Sequence, residues 1–515
     1  MQAYLWNGAL KAKGVEMSAG ADAAILEREP SYKDITCSLA AIPRMPRVVL
    51  AETKKMVVTA RRFNDEVVRP RALELDRLKH EDPDYLPWDL VREADRWGFY
   101  TMCIPKLFGG QGMNMPGLSY VLEEIGSACT GISNLVGVHY LGIATLCGSW
   151  NIRLMNKVMR DTVEGRKTGR PCLVSLAITE PGAGTDVEEV ELVSRAKVTC
   201  HAEKVKGGYV VNGRKIFISN GHLSTWHMTI AYSDLDNPAG SSVMLAVKTG
   251  MKGFSFGRQE RKMGQKGCPA SELIFEDCFV PDELVGFEAT SGPRYSKTPE
   301  QLTMQLLDYV LAASRAGVGA FGTGVARGAY EEALRFACET EVGGRLLVNH
   351  EWAQCLLAEM YKNVALARLA YEEANYATSL YGLFKVIAWK PLFYALKYTR
   401  QSVIDRVLEP LLDLEMMTVL FRKLYFEYQK DEEANRTSGW GSLSKFSGTD
   451  AGVRNCQLAL ELMGGVGVRQ DRVAEKHLRD AKLLQIYEGT NQLNRLNVFK
   501  CMIARSIPEA KVFED

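Results

Sequence analysis

The chain has no pair of cysteines at the C-x-x-C spacing of zinc sites and redox motifs, although it contains 12 cysteines. Histidine is also scarce, with 7 in 515 residues. The 63 Lys and Arg balance the 62 Asp and Glu, so the formal net charge is +1 and no global field attracts a nucleic acid. No apolar run reaches the roughly 18 residues of a membrane-spanning helix. These absences argue against a metal centre, a nucleic-acid partner and a transmembrane segment.

Two further absences indicate the compartment. The cysteines are scattered from Cys37 to Cys501 without the spacing of a disulfide framework, which favours a reducing environment. Residues 1–38 contain no continuous apolar segment and carry acidic residues such as Glu27 and Asp34, so we expect neither a signal peptide nor a transit peptide. We therefore predict a cytoplasmic location.

The residues that are present indicate an α+β protein in which two helical regions flank one β region. Apolar residues three and four apart, as in Trp88–Trp97, predict helices, whereas short β-branched runs and the turn pair Asn212-Gly213 predict strands and a hairpin. This order excludes the βαβ repeat of a doubly wound nucleotide-binding fold. The predicted parts are an N-terminal extension (1–50), an N-terminal helical domain (51–172), a small β-barrel domain (173–285) and a C-terminal helical bundle (286–515) with an inserted helical segment at about 379–441.

A glycine-rich loop, TEPGAGTD, spans Thr179–Asp186. Its glycines let backbone N–H groups approach an anion, and its hydroxyls can donate hydrogen bonds. Val187 stands where a third glycine would complete a dinucleotide fingerprint, and no βαβ unit surrounds the loop. The loop is therefore not a Rossmann motif, and taken alone it is more simply a turn.

Two further motifs lie near the C-terminus. Gly464 and Gly465 follow an apolar helix and predict its C-cap. Further on, Glu488 lies in a predicted turn, and Thr490 can N-cap the next helix, whose first N–H groups can then face a ligand. In isolation, each motif has an ordinary structural explanation.

In combination, the three motifs resemble the signatures of the acyl-CoA dehydrogenase family, and they occur in the family's order within the helical, β, helical layout. The resemblance implies an FAD cofactor and the oxidation of the Cα–Cβ bond of an acyl-CoA thioester to the trans-2-enoyl-CoA. It also implies an electron-transferring flavoprotein as electron acceptor and a homodimer or homotetramer as the assembly.

The same resemblance assigns the catalytic base to Glu488, whose carboxylate would abstract the α proton while flavin N5 accepts the β hydride. Such a base must be desolvated enough to raise its pKa toward neutrality. A helix position where some family members carry the base aligns with Ala312 here. Matched positions imply substrate contacts from Thr185, Arg315 and Gly489, and cofactor contacts from Ile178, Thr179, Thr185, Phe217, Ser219, Gly464, Gly465, Thr490 and Gln492.

The resemblance also implies which part of FAD each residue contacts. Thr179 would hydrogen-bond the pyrimidine edge of the flavin, Phe217 would pack on the isoalloxazine ring, and Ser219 would reach its N5 region. For Phe217 a place in the sheet core is the alternative. Thr490 and Gln492 would contact the adenosine half, and Gly464 with Gly465 would let a neighbouring subunit's pyrophosphate approach.

Three positions depart from the family pattern. Thr340 stands where an arginine usually binds the FAD pyrophosphate across the dimer, and Glu351 and Glu461 are acidic where glutamine is common. These changes add negative charge near a pyrophosphate. Either Arg345 compensates or the cofactor binds more weakly than usual.

The inserted segment at 379–441 is longer than the family's C-terminal bundle requires, and it interleaves Lys with aromatic residues. It can lie on a membrane surface, pack on the bundle as a helical hairpin, or shape the substrate tunnel or the acceptor's docking face.

The fold leaves other chemistries open, namely an enoyl-CoA reductase, a decarboxylating dehydrogenase or a desulfinase. The departures above also leave open a catalytically silent binding subunit.

Overall fold

The computed structural model describes residues 37–290, 295–381, 385, 389–507 and 509–514. Most of the predicted N-terminal extension, residues 1–36, lies outside the described residues. Its described part begins with a short helix, α1 (Cys37–Ala41), where the Cys37 N–H donates to the carboxylate of Glu373 at 2.7 Å. The start of the described chain is thereby attached to the C-terminal helical region.

The N-terminal region is helical, as predicted. Its further helices are α2 (Val48–Phe63), α3 (Arg69–Glu81), α4 (Trp88–Arg96), α5 (Pro116–Ala128), α6 (Thr130–Gly148) and α7 (Ile152–Thr168). Among the described helices, α6 is the one long and apolar enough to cross a bilayer by composition, but 78% of its apolar window is buried inside the protein. It is a core helix.

Eight strands form the β region. They are β1 (Leu173–Ala177), β2 (His201–Val205), β3 (Gly208–Ser219), β4 (Ser224–Tyr232), β5 (Ser242–Lys248), β6 (Phe254–Gln259), β7 (Ala270–Pro281) and β8 (Val285–Glu288), with the short helix α8 (Val190–Val193) between β1 and β2. The strand order is β6-β7-β3-β2-β4-β5-β8, mostly antiparallel, and β1 pairs in parallel with β4. Within the described residues this path ends at β6 and β8, which do not pair with each other.

The predicted hairpin at Asn212-Gly213 is wrong. The turn between β2 and β3 lies at residues 206–207, and Asn212-Gly213 forms an irregularity inside β3. Gly213 has φ +140°, and a Cβ there would lie 2.6 Å from the Cα of Cys200. The glycine is therefore needed for a close approach of two backbones rather than for chain reversal.

The C-terminal region returns to helices, which confirms the predicted helical, β, helical order. Its elements are α9 (Pro299–Glu339), a small hairpin of β9 (Glu341–Val342) and β10 (Arg345–Leu346), α10 (Glu351–Ser379), α11 (Lys390–Tyr398), α12 (Gln401–Val403), α13 (Glu409–Leu412), α14 (Glu415–Tyr428), α15 (Asp431–Met463), α16 (Val473–Leu484) and α17 (Asn491–Val498). A π turn at 404–408 joins α12 to α13.

Helix α9 connects the two hydrophobic cores. It begins at a capping box, in which Thr298 and Gln301 satisfy each other's backbone N–H groups. Its first turns, as far as Leu311, pack in the core of the β region, and its later turns, from Val318, pack in the core between the two helical regions. The α9 residues between these positions therefore lie where both cores meet.

The segment between α10 and α15, residues 380–430, lies on the N-terminal helices where it is described. Lys106 Nζ donates to two backbone carbonyls of the segment, at 2.9 and 2.8 Å. Tyr425 of α14 contacts Trp150 and Tyr309, with ring centroids 5.2 and 5.6 Å apart. Helix α15 then runs through Gly441 without interruption.

Candidate active site

The glycine-rich loop leaves β1 as a tight turn held by a buried ion pair. The N–H of Glu180 donates to the carbonyl of Ala183 at 2.8 Å. Lys215 of β3 donates from Nζ to the carboxylate of Glu180 at 2.7 Å and to the carbonyl of Ile178 at 2.9 Å, and both charged side chains are fully buried. The carbonyl of Thr179 accepts from the N–H of Ile216 at 2.9 Å. Strand β3 thus fixes the main chain on both sides of Thr179.

Phe217 lies directly after these anchors on β3. Its backbone has φ +56°, which is unusual for a bulky residue, and its side chain is 53% exposed although it belongs to a strand of the main sheet. Ser219 is partly buried at the end of the same strand. The alternative prediction, a core position for Phe217, is therefore wrong, because the ring is half exposed beside the loop.

A second loop carries Glu488 between α16 and α17. Glu488 and Gly489 have φ +57° and +74°, so two successive residues occupy the left-handed region. Arg315 Nε donates to the Glu488 carbonyl at 3.3 Å, and Lys445 Nζ donates to the Gly489 carbonyl at 2.7 Å. Thr490 caps α17 by accepting from the N–H of Leu493 at 3.3 Å, which confirms the predicted cap. Long-range contacts thus maintain a strained turn.

The carboxylate of Glu488 faces α9. Ser314 Oγ donates to Glu488 Oε2 at 2.5 Å. Burial raises the pKa of Glu488 above its ordinary value, and the Ser314 hydrogen bond with the nearby charges of Arg315 and Lys445 opposes that rise only in part. The carboxyl is therefore a stronger base than an exposed glutamate.

The α9 residue that faces this carboxylate is Ser314 and not Ala312, the position named from the sequence. Ala312 is buried two residues earlier, where its backbone lies against Gly441 of α15. Neither side chain can serve as a base. Among the residues named from the sequence, Glu488 therefore remains the only carboxylate at this point.

Sequence reasoning missed a second carboxylate, Glu188, which lies close to the Glu488 loop, because its Oε2 would be 3.1 Å from a Cβ at Gly489. Its Oε2 lies 3.7 Å from Arg315 Nη2, and its side chain is 11% exposed. Burial and the charge of Glu488 raise the pKa of Glu188 to about 7. The available signal was its position directly after the first motif, in the turn that begins at Thr185.

The other predicted site residues lie at different depths. Gly489 and Ile178 are buried, Thr185 is half-buried, and Gln492 is exposed on the first turn of α17. Gly464 and Gly465 are exposed at the end of α15, and a Cβ at either would have no atom within 4 Å. No described contact joins these two glycines to Glu488.

The three departures from the family pattern also lie toward the surface. Glu351 and Glu461 are exposed, and Thr340 is half-buried at the end of α9. Arg345 is exposed on the β9–β10 hairpin and contacts His350 Nδ1 at 3.2 Å. The suggestion that Arg345 compensates for Thr340 stays a prediction.

The β-region half of the site fits the planar ring of FAD. Phe217 offers an exposed aromatic face beside the glycine-rich loop, and aromatic rings stabilise each other by stacking. A Cβ at Gly184 would meet no atom within 4 Å, so the loop leaves room in front of its backbone. Thr179 and Ser219 would hold the ring edge, and Phe217 would hold its face.

Three domain models of one family match the chain in succession. The acyl-CoA dehydrogenase N-terminal domain matches residues 51–150, the middle domain matches 175–278, and the C-terminal domain matches 304–381 and 396–503. The interruption in the third match falls within the segment between α10 and α15. The rest of that segment, from residue 396, is included in the match.

Individual relatives agree with these matches. A cyclohex-1-ene-1-carbonyl-CoA dehydrogenase of Syntrophus aciditrophicus (strain SB) is 27% identical over 488 residues, which cover 95% of each chain. The structure of butyryl-CoA dehydrogenase from Megasphaera elsdenii superposes with a TM-score of 0.64 at 20% identity, covering 88% of this chain and 98% of that one. PigA with FAD and proline gives a TM-score of 0.64 at 18% identity, with the same coverage. The chain belongs to the acyl-CoA dehydrogenase family of FAD-dependent oxidoreductases, which act on CH–CH bonds.

Proposed function

We propose that this enzyme oxidises the Cα–Cβ bond of an acyl-CoA thioester to the 2-enoyl-CoA, with Glu488 abstracting the α proton. The observation that carries the proposal is the half-buried Glu488 carboxylate, held by Ser314 on a strained loop and made more basic by its surroundings. FAD, when bound, supplies the acceptor for the β hydride. The chain's own residues orient the substrate and move the proton.

Negative charge develops on the thioester oxygen as the α proton leaves, and it must be met by hydrogen-bond donors. By resemblance, one such donor is the backbone N–H of Glu488. Arg315 and Lys445 hold the next two carbonyls of the same loop, so they position this N–H together with the carboxylate. We assign Arg315 a positioning role.

Small and cyclic acyl-CoA thioesters should be tested first as substrates. Two relatives are named cyclohex-1-ene-1-carbonyl-CoA dehydrogenase, at 27% and 28% identity. We propose an electron-transferring flavoprotein as the acceptor.

The 12 cysteines, all in the described part of the chain, form no disulfide, which supports the predicted cytoplasmic compartment.

A homodimer or homotetramer is the proposed assembly. Helix α10 exposes Trp352, Tyr361, Leu366 and Leu369, each at 50–63%, and large apolar side chains in one helix are typical of a contact between subunits. Sedimentation of the purified protein measures the assembly directly. A monomer at micromolar concentration would contradict it.

The test of the proposed function is the visible absorption spectrum of the purified protein under anaerobic conditions. We expect a yellow protein whose flavin bands are bleached by one class in a panel of short, medium, branched and cyclic acyl-CoAs. A yellow protein that none of them bleaches would favour the reverse or non-oxidative chemistries. A colourless protein that does not take up FAD would instead support a silent binding subunit.

Replacement of Phe217 by Leu is expected to weaken FAD binding by about two- to twelvefold, because an aromatic stacking contact is worth about 0.5–1.5 kcal/mol. The half-exposed ring contributes little to the core, so the thermal unfolding temperature should stay unchanged. Titration of the apoprotein with FAD gives the dissociation constant. Phe279→Leu, at a 45% exposed aromatic residue on β7, is the matched control and should bind FAD normally.

Replacement of Ser314 by Ala is expected to move the acidic limb of the pH–rate profile to higher pH by about one unit. The lost hydrogen bond favours the charged form of Glu488, so the pKa of Glu488 rises further without it. The base must be ionised, so flavin reduction slows at low pH and recovers at high pH. An acidic limb that moves to lower pH would contradict this role.

A further inference from the structure

Glu188 is a carboxylate of the site that the proposed function leaves without a role. It ends the turn that follows the glycine-rich loop, and its side chain is 11% exposed. In the described part of the chain, Glu188 Oε2 accepts no hydrogen bond, and Arg315 Nη2, 3.7 Å away, donates none. Buried polar atoms without hydrogen bonds are rare in folded proteins. The ion pair is therefore the contact that compensates both atoms.

Arg315 connects Glu188 to the loop of the base. Its side chain is 2% exposed. Nε donates to the Glu488 carbonyl at 3.3 Å, and Nη1 donates to Ser442 Oγ at 3.2 Å, so Nη2 is the nitrogen left for Glu188. The guanidinium is planar and its donors are fixed relative to one another, so a group that holds Nη2 also sets the direction of Nε. Glu188 therefore acts on the Glu488 loop through Arg315.

Glu188 also lies directly against that loop. A Cβ at Gly489 would be 3.1 Å from Glu188 Oε2, so the carboxylate occupies space that only a glycine leaves open. The backbone N–H of Gly489 favours the charged form of Glu188. A second negative charge is thereby placed beside the residue that follows the base in the chain.

Two cations face the base. Arg315 and Lys445 both oppose the rise in the pKa of Glu488, and Lys445 is fully buried. Burial lowers the pKa of Lys445 to about 7, so Lys445 is positively charged in the acidic range where a carboxylate titrates. A single carboxylate beside two buried cations would have a low pKa and would be a weak base. Glu188 supplies the second negative charge that balances them.

The repulsion between the two carboxylates acts in both directions. After burial, the charge of Glu488 is the main cause that raises the pKa of Glu188, and an ionised Glu188 makes Glu488 harder to ionise by the same energy. The other titratable groups that face these carboxylates or their cations are Asp308 of α9, Asp450 of α15 and Tyr487 of the loop itself. Asp450 pairs with Arg495 at 2.5 Å, and burial raises the pKa of Tyr487, which keeps it neutral.

We propose that Glu188 is a positioning residue for the base, which holds Arg315 against the Glu488 loop and offsets the positive charge of Arg315 beside the Glu488 carboxylate. The proposal rests on the proposed function, because a base is needed only if an α proton is removed. In this role Glu188 acts through Arg315 and does not touch the reacting atoms. A purely structural ion pair would affect folding without moving the titration of Glu488.

Infrared spectra of the FAD-loaded enzyme, recorded across the pH range, test the proposal without any substrate. The carbonyl band of the protonated Glu488 side chain is the band that Glu488→Gln removes. In Glu188→Gln the titration midpoint of this band should move to lower pH by about one unit, because the charge of Arg315 is no longer offset. The acidic limb of flavin bleaching should move the same way, opposite to the shift expected for Ser314→Ala. The plateau rate should fall severalfold, because the base is weaker.

Two further variants control this experiment. Glu188→Asp keeps a charge but moves it by one methylene group, so its midpoint should lie between those of the wild type and Glu188→Gln. Glu189→Gln should leave the midpoint in place, because this neighbouring carboxylate pairs with Lys500 at 2.6 Å. An unchanged midpoint in Glu188→Gln, or a move to higher pH, would overturn the proposal. If Glu188→Gln does not fold, a wild-type midpoint in Glu188→Asp would overturn it equally.

Failure of the proposed function would give a different result. Normal bleaching by Glu488→Gln, or a wild type that no acyl-CoA bleaches, would remove the α-proton abstraction by Glu488. The infrared midpoint of Glu488 would then still move in Glu188→Gln if Glu188 sets the charge at this point. An unmoved midpoint together with normal substrate bleaching by the wild type would instead reject only the role of Glu188.

Discussion

Glu488→Gln should retain FAD and lose flavin reduction by roughly 10²–10⁴-fold, the range expected when an essential general base is removed. Glutamine has nearly the same shape as glutamate, and its side-chain oxygen can still accept the hydrogen bond from Ser314. The loop contacts from Arg315 and Lys445 go to backbone carbonyls, so they remain. The variant therefore removes the proton acceptor with little change in structure.

The measurement is the rate of anaerobic flavin bleaching by whichever acyl-CoA of the panel bleaches the wild type. Glu189→Gln is a matched control. Glu189 follows Glu188 in the chain and is also a buried carboxylate, but it pairs with Lys500 at 2.6 Å instead of facing Glu488. The flavin of this control variant should be bleached at a rate within severalfold of the wild-type rate. If the flavin of Glu488→Gln were bleached at a near-normal rate, Glu488 would not be the catalytic base. Glu188, the other carboxylate beside Arg315, would then be the next candidate.

Features that depend on neighbours in the chain could be predicted from the sequence. The periodicity of Trp88–Trp97 gives α4, which spans Trp88–Arg96. Thr490 caps α17, and Gly464, with φ +55°, ends α15 as expected of a C-cap glycine. In each case the deciding hydrogen bonds lie within a few residues, so local sequence contains the information.

Contacts between distant segments could not be predicted in this way. Ser314 and Glu488 are 174 positions apart, and nothing in either segment shows which turn of α9 faces the carboxylate. The sequence alone therefore does not show that Ser314, rather than Ala312, faces the carboxylate. The ion pair between Glu188 and Arg315 has the same origin, since it depends on how the β region is placed against α9.

The segment between α10 and α15 shows a different limit. Its helices are apolar on two sides, and spacing alone does not tell which side packs against the protein. The choice is made by partners such as Arg160, which is 245 positions from Asp405.

A similar limit explains the wrong hairpin, because Asn212-Gly213 has strong turn chemistry but the long pairing of β3 with β7 continues past it.

The second large effect concerns the buried ion pair beneath the glycine-rich loop. Lys215→Met is expected to destabilise the protein by about 3–5 kcal/mol, the range for removing one partner of a buried pair. The Glu180 carboxylate would stay buried, and its remaining partners would be the N–H groups of Thr199 and Cys200, at 2.5 and 3.0 Å, and the Thr199 hydroxyl, at 3.0 Å. The Ile178 carbonyl would also lose its donor, so we expect FAD to dissociate more easily.

Thermal unfolding with and without added FAD, together with the flavin content after dialysis, measures both effects. Arg214→Met is the matched control, because the neighbouring Arg214 pairs with Glu272 at 3.3 Å while 57% exposed, and such a surface pair is worth less than about 1 kcal/mol. Glu180→Gln added to Lys215→Met should recover part of the stability, since the unpaired charge is then gone. Equal stability of the Lys215 and Arg214 variants would show that the buried pair does not hold the loop. If the double variant recovers stability but not FAD binding, the loop needs the Lys215 hydrogen bond to Ile178 as well as charge balance.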